Sequence, residues 1–173
     1  TLPVLDPNSG DFLSTPIKAK EDKQSINLTL DHQLNKHVTL SASYSHMKDK
    51  WKSKDGWTLG PESGWDSDDI NTGINHLRPQ NHYALNVSYE NARFYTGLLL
   101  NYYTGCSGLA FTDNRFLILD WNANYEFADG ITAYVTVGNL TNESYETSYN
   151  SWNGLGSSAM PGRYFMVGTK YKF

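Results

Sequence analysis

The chain has 173 residues, a formal net charge of −4, and 14% aromatic residues, 12 of them tyrosine. Its charges are mild and unclustered, which gives no pointer to nucleic acid. No apolar run approaches the roughly 20 residues of a membrane helix, and the single Cys106 excludes an intrachain disulfide and a multi-cysteine metal site. A soluble β-domain and a membrane barrel both fit these numbers, so periodicity has to decide.

Residues 1–22 carry Pro3, Pro7 and Pro16, lack sustained alternation and show no signal-peptide pattern after Thr1; they read as loop. Alternation starts at Lys23. Ile26, Leu28 and Leu30 point one way and Asn27, Thr29 and Asp31 the other, then Val38, Leu40, Ala42 and Tyr44 oppose Thr39, Ser41, Ser43 and Ser45. Residues 49–76 read as a long excursion with tryptophans at 51, 57 and 65. Tyr83 to Tyr89 and Phe94 to Tyr102 form the next pair around a tight turn near Asn91. After a Gly-rich loop at 104–114, Leu117 to Phe127 and Ile131 to Val137 pair around Ala128–Gly130. Residues 139–160 read as another long loop. The last stretch alternates from Phe165, Val167, Thr169 and Tyr171 to Phe173, after a turn at Pro161–Gly162.

Seven strands are therefore expected, at 23–34, 37–48, 79–90, 93–103, 115–127, 131–139 and 162–173. Short turns near 35, 91 and 129 alternate with longer loops at 49–76, 104–114 and 139–160. Outer-membrane barrels have this asymmetry, their tilted strands need about 9–11 residues, and aromatics sit at their interfaces. Placing Asp31, Asp120, Glu126, Lys170 and Lys172 on the lipid side would be costly, so they suit a wet or protein-filled lumen. The expected fold is all-β, an antiparallel up-and-down membrane β-barrel portion.

Three pieces carry a resemblance: VGNLTNESY from Val137 to Tyr145, MPGRYF from Met160 to Phe165, and the terminal YKF. Together with the strand from Leu119 to Phe127, they resemble the C-terminal end of TonB-dependent outer-membrane receptors. The specific motifs span about the last 60 residues, and the hairpins before them match in pattern alone. The family implies a barrel of about 22 strands around a plug domain, and energised import of ferric siderophores, haem, cobalamin or glycans. It also implies as partners outer-membrane lipid, the rest of the barrel and its plug, the barrel-assembly machinery and, through the plug, the TonB system. The bacterial outer membrane is the implied location.

The chain departs from the family in having no room for a plug and no TonB-binding motif. Seven strands are also an odd number, so the first and last run the same way and cannot close antiparallel. Two open edges in lipid would cost tens of kcal/mol at several per unpaired backbone group. The chain is therefore expected to be the C-terminal third of a receptor barrel: 1–22 a remnant of an external loop, 23–173 the barrel segment, with the plug absent. A truncated gene, a split polypeptide or a fragment would each give this. A small autonomous barrel with an adhesin or structural role is the alternative, but its eighth strand would have to come from the Pro-rich start. An outer-membrane lipase would need a Ser–His pair, and none is evident.

No catalytic residues, cofactor or metal site are expected. The five histidines lack ligand spacing, Ile70 breaks a calcium-loop reading of Asp66–Asp69, and Cys106 reads as an incidental loop thiol. Rigid walls hold external loops over a lumen mouth, where aromatic planes can stack on flat chelates or sugars. Trp57, Trp65, Tyr149 and Trp152 are the ligand-binding candidates for a ferric siderophore or other small ligand, and Trp51 is equally a girdle residue. Phe173 and Tyr171 are assigned to the barrel-assembly signal. Pro161, Gly162 and Arg163 form the structural turn, with Arg163 placed to meet a carboxylate near the rim.

Overall fold

A computed structural model of the chain describes residues 4–5, 12–13, 19–53, 77–108, 110–151 and 154–172. Two short strands, β1 (Val4–Leu5) and β2 (Phe12–Leu13), pair with each other. The main sheet follows: β3 (Ala19–Gln33), β4 (Val38–Ser53), β5 (Asn81–Glu90), β6 (Phe94–Thr104), β7 (Arg115–Ala128) and β8 (Ile131–Gly138). A separate hairpin, β9 (Glu146–Ser151) and β10 (Gly154–Ala159), precedes β11 (Tyr164–Tyr171), which returns to the main sheet beside β8. The result is a seven-stranded antiparallel sheet in which every strand except β11 neighbours its predecessor in sequence.

All seven expected strands form, with three differences around them. The segment 1–22 is not loop throughout: it holds β1 and β2, and β3 already starts at Ala19. The excursion after the second strand starts later, because β4 runs to Ser53. The loop at 139–160 contains the β9–β10 hairpin. β1 and β2 are two residues each, too short for any period, and the other stretches have mixed polarity on both faces, where a period of two leaves little trace.

Register joins the alternation of single strands into faces. One row runs Leu30, Ala42, Leu85, Leu100 and Leu119 across five strands. A second runs Leu98, Trp121, Val137 and Phe165. One step along, Asp31, Ser41, Asn86, Leu99 and Asp120 form a row on the opposite face. A one-residue slip of any strand would exchange its faces, so the register is strongly specified. A bulge between Glu126 and Ala128 lets the chain turn at Asp129–Gly130. Gly130 has φ 75°, and a Cβ there would stand 2.7 Å from the Lys172 carbonyl, which fixes glycine at this turn. Lys172 N in turn donates to Gly130 O at 2.8 Å, tying the last strand to the turn.

The apolar face is uncovered. Val167 is 75% exposed, Phe165 69% and Leu28 60%, far above what a sandwich core leaves to solvent. β3 and β11 are the two edges, and among the described residues neither pairs with the other. That is the open sheet expected from an odd strand count.

Candidate functional site

The buried cluster of the described residues lies on the polar face, at the end of the long connections. Phe116 sits opposite Tyr103 in the β6–β7 register, and the rings meet at a tilt of 30° with centroids 4.8 Å apart. The connection 105–114 places Cys106, Ala110 and Phe111 against Phe116, with Tyr103, Ile118 and Tyr145 packed around them. His82 extends the aromatic surface along the wall. It stacks flat on Tyr103 at 4.3 Å, while its Nε2 lies 2.8 Å from Asn101 Oδ1. Burial pushes the Cys106 thiol up, which disfavours the thiolate. The cysteine read as incidental is thus part of the packing.

Glu146, at the start of β9, joins the hairpin to the 105–114 connection. Its carboxylate accepts from Thr112 N at 2.9 Å and from Thr112 Oγ1 at 2.7 Å. These bonds hold the Glu146 carboxyl below its ordinary range. Ser148 Oγ donates to Leu77 O, which attaches the same hairpin to the chain before β5. A cleft of about 50 Å³ remains between Phe111, Asp113, Phe116, Ser144 and Tyr145. Burial, with the charge of Asp120 added, raises the Tyr145 phenol, so it stands protonated as a donor beside this cleft.

The VGNLTNESY and MPGRYF stretches meet at one residue. Asn139 is 1% exposed and takes φ 50°, a left-handed conformation that asparagine tolerates. Its backbone N donates to Asp120 Oδ1 on β7 at 2.8 Å. Its side-chain Nδ2 donates to Glu143 O at 2.8 Å and Pro161 O at 3.4 Å, and its Oδ1 accepts from Glu143 N at 2.8 Å. Asn142, also left-handed, accepts from Arg163 N through Oδ1 at 2.9 Å. The Pro161–Gly162–Arg163 turn is therefore a docked element, aimed by two asparagines. The expected ion pair of Arg163 is not formed among the described residues; the pair present is Arg93 with Asp129 at 3.7 Å. Arg163 contributes its backbone to the turn instead.

Of the ligand-binding candidates, Trp57, Trp65 and Trp152 lie outside the described residues. Tyr149 lies on β9, half exposed, its ring across Gly156 of β10. Tyr171 ends β11 in an exposed position, and Phe173 is outside the described residues. Trp51 falls within β4 opposite Glu21. The aromatic cluster on the polar face was missed. Its signal was the break in alternation at Phe116 and Ile118, apolar residues on the face of Asp120 and Asn122. Among the described residues no three His, Cys, Asp or Glu side chains converge as a metal site, and no helix is long and apolar enough to cross a membrane.

The apolar face is bordered by aromatic rows. Tyr44, Tyr83 and Tyr102 sit in contact near the long connections, with centroids 4.8 and 6.0 Å apart. Tyr89 and Phe94 lie 6.2 Å apart near the short turns, with Tyr125 opposite Phe94 in register. Above the first row, Asn81 Oδ1 accepts from Tyr44 OH at 3.0 Å and lies 2.8 Å from His46 Nδ1, and Asn81 Nδ2 donates to Thr104 Oγ1 at 3.2 Å.

An open up-and-down sheet with one uncovered apolar face and one polar face is a portion of a β-barrel wall. The pyoverdine outer membrane receptor FpvA of Pseudomonas aeruginosa PAO1, solved bound to pyoverdine, matches this fold with a TM-score of 0.65 at 16% identity, over 98% of this chain. The ferripyoverdine receptor of the outer membrane of Pseudomonas aeruginosa, bound to ferripyoverdine, matches 97% of this chain with a TM-score of 0.64 at 17% identity. The FpvAI–pyocin S2 complex matches 90% with a TM-score of 0.64 at 16% identity. The chain spans 20–24% of the length of these receptors. At the level of fold, then, the resemblance to receptor barrels holds. No protein-family model matches the sequence, and no curated protein does.

Proposed function

We propose that the chain is the C-terminal barrel segment of an outer-membrane receptor for TonB-dependent uptake of a ferric siderophore or similar scarce nutrient. The observation that carries this reading is the seven-stranded wall itself, apolar and aromatic-bordered on one face, polar on the other, and aligned along most of its length with siderophore receptors. Tyr102 and Phe94 border the apolar face eight residues apart on β6. That separation is about 27 Å along the strand, or about 20 Å along the axis of a barrel tilted about 45°, close to the ~25 Å apolar band of such barrels. The apolar face meets outer-membrane lipid and the polar face the lumen.

In this reading the sheet continues on both edges into the rest of the barrel, around a plug that contacts TonB, and the long connections are external. Residues 1–22 belong to an external loop. The loop tryptophans Trp57, Trp65 and Trp152, with Tyr149, capture the ligand above the aromatic floor of His82, Tyr103, Phe116 and Tyr145. Trp57→Ala combined with Trp65→Ala in the intact receptor should weaken binding of the cognate ferric chelate by roughly 1–3 kcal/mol, the scale of a buried aromatic side chain. Unchanged affinity in a fluorescence titration removes both residues from the site. Recovery of the protein in the soluble fraction, rather than in outer membranes, overturns the reading as a whole.

A further inference from the structure

Two excursions at the long-connection end leave the sheet and return to it at closed bases. The 105–114 connection is closed by Cys106 N, which donates to Asn114 O at 3.1 Å. The excursion that carries β9 and β10 is closed by Met160 N, which donates to Tyr145 O at 2.9 Å, and below it Asn142 Oδ1 accepts from Arg163 N. A segment whose feet are bonded to each other can open locally while the ladders beneath it stay intact. β9 and β10 pair with each other and, among the described residues, share no ladder with the main sheet. Side chains attach the hairpin to the rim instead. The Tyr145 ring lies 5.8 Å from that of Phe116 on β7, Glu146 accepts both bonds from Thr112, and Ser148 donates to Leu77 O ahead of β5. From Tyr145 to Ser148 the chain therefore steps across the ends of β7, β6 and β5, and it fastens the 105–114 connection on the way. Beneath this double layer Cys106 and Phe116 are buried, with Tyr103 and Ile118 packed against them.

We propose that the 105–114 connection and the β9–β10 hairpin form one lid over this end of the polar face, hinged at their closed bases and latched by Glu146 and Ser148. Opening the lid uncovers Phe116, Tyr103 and Ile118, a surface that stays covered while the latches hold. In the receptor reading that surface belongs to the floor of the mouth, so the lid gates access to it. The lid itself depends only on the bonds at this end.

Cys106 is the single thiol of the chain and lies under the lid, so its alkylation by N-ethylmaleimide, in the intact protein in neutral detergent, reads the open population. Ser148→Ala removes the latch at the entry to β5, and Ser148 is not part of the Cys106 cluster. This variant should raise the alkylation rate about fivefold, the population shift of one net hydrogen bond. Glu146→Ala loses two bonds and should raise it about twentyfold. Thr147→Ala, at an exposed position between the two latches, should leave the rate unchanged. Hydrogen-exchange protection of the β8–β11 amides should stay at the wild-type level in all three, which separates lid motion from unfolding. A wild-type alkylation rate in Ser148→Ala overturns the single lid. A β8–β11 exchange rate that rises together with alkylation overturns the closed bases. Neither result touches the receptor reading, which stands on the main sheet and its apolar face.

Discussion

Replacing Asn139 should loosen the whole end of the sheet, because this side chain holds three elements together. Asn139→Ala removes the paired 2.8 Å bonds to Glu143 N and O and the longer bond to Pro161 O. Two good hydrogen bonds are worth about 1 kcal/mol each net, and the half-buried Glu143 N–H and C=O are left without that partner. The φ of 50° adds about 1 kcal/mol for an alanine held left-handed. The expected loss is about 3 kcal/mol. Asn139→Gly loses the same bonds without the steric term, so it should be less damaging than alanine by about 1 kcal/mol, although glycine usually destabilises folded chains more. The assay is equilibrium unfolding in guanidinium of the protein in detergent micelles, followed by tyrosine and tryptophan fluorescence. An Asn139→Ala protein within about 0.5 kcal/mol of wild type, the usual range of a surface change, would refute the junction as a structural centre. Glycine more damaging than alanine would refute the conformational part of the argument alone.

The tyrosine rings laid over facing glycines give a second test. Tyr134 lies across Gly168 and Tyr164 across Gly138, locking β8 to β11. Gly168→Ala should displace the Tyr134 ring and destabilise by about 1–2 kcal/mol, and a double-mutant cycle with Tyr134→Ala should show the penalty largely relieved; additive losses would count against a locking role. The Glu146 tie is pH-dependent. Its carboxyl titrates lower when folded than when free, so the stabilisation is fully present above the ordinary glutamate range and is lost as pH falls through the folded value. Protection of the Thr112 amide against hydrogen exchange should therefore drop between about pH 6 and pH 3, and in Glu146→Gln it should be flat over that interval; equal acid sensitivity of both proteins would contradict the assignment. Deleting Phe173 should lower outer-membrane yield more than deleting a loop residue does, since the resemblance implies that the terminal aromatic strand is read during insertion. Equal surface yield of the two deletions would set that idea aside.

The main sheet was legible because its strands obey one rule over most of their length. A sheet with one apolar and one polar face alternates at every second residue, and strands such as Leu117–Tyr125 show this without interruption. Beyond those stretches the rule relaxes. The run Asp49 to Ser53 pairs with Ala19 to Lys23 although neither segment has an apolar face, so it read as loop. The β9–β10 hairpin is built mostly from Ser, Thr, Tyr, Asn and Gly, with Leu155 and Ala159 its apolar aliphatic residues. Its register pairs Ser151 with Gly154, so the Asn153–Gly154 dipeptide does not sit at the two central positions that make Asn-Gly a hairpin signal. The Asn139 junction was half legible. Its motif was visible, but the contact between Asn142 and Arg163 spans 21 residues and depends on where β11 docks. No local pattern encodes that.

The polar face shows the limit of alternation from the other direction. A polar sheet face needs polar residues only where water covers it. At the long-connection end the chain returns over its own wall, and the returning segment must be anchored to something it can bury against. Phe116 and Ile118 supply that surface, Cys106, Ala110 and Phe111 cover it, and Asp120 and Asn122 below resume the polar row. The two apolar residues on the polar side of β7 are thus the footprint of a connection folded over that face. The Thr112–Glu146 bonds then pass that fixed position on to the next connection. Two long connections share one anchorage on one strand pair, and a perturbation at Phe116 should reach the β9–β10 hairpin through Glu146 rather than through the main sheet.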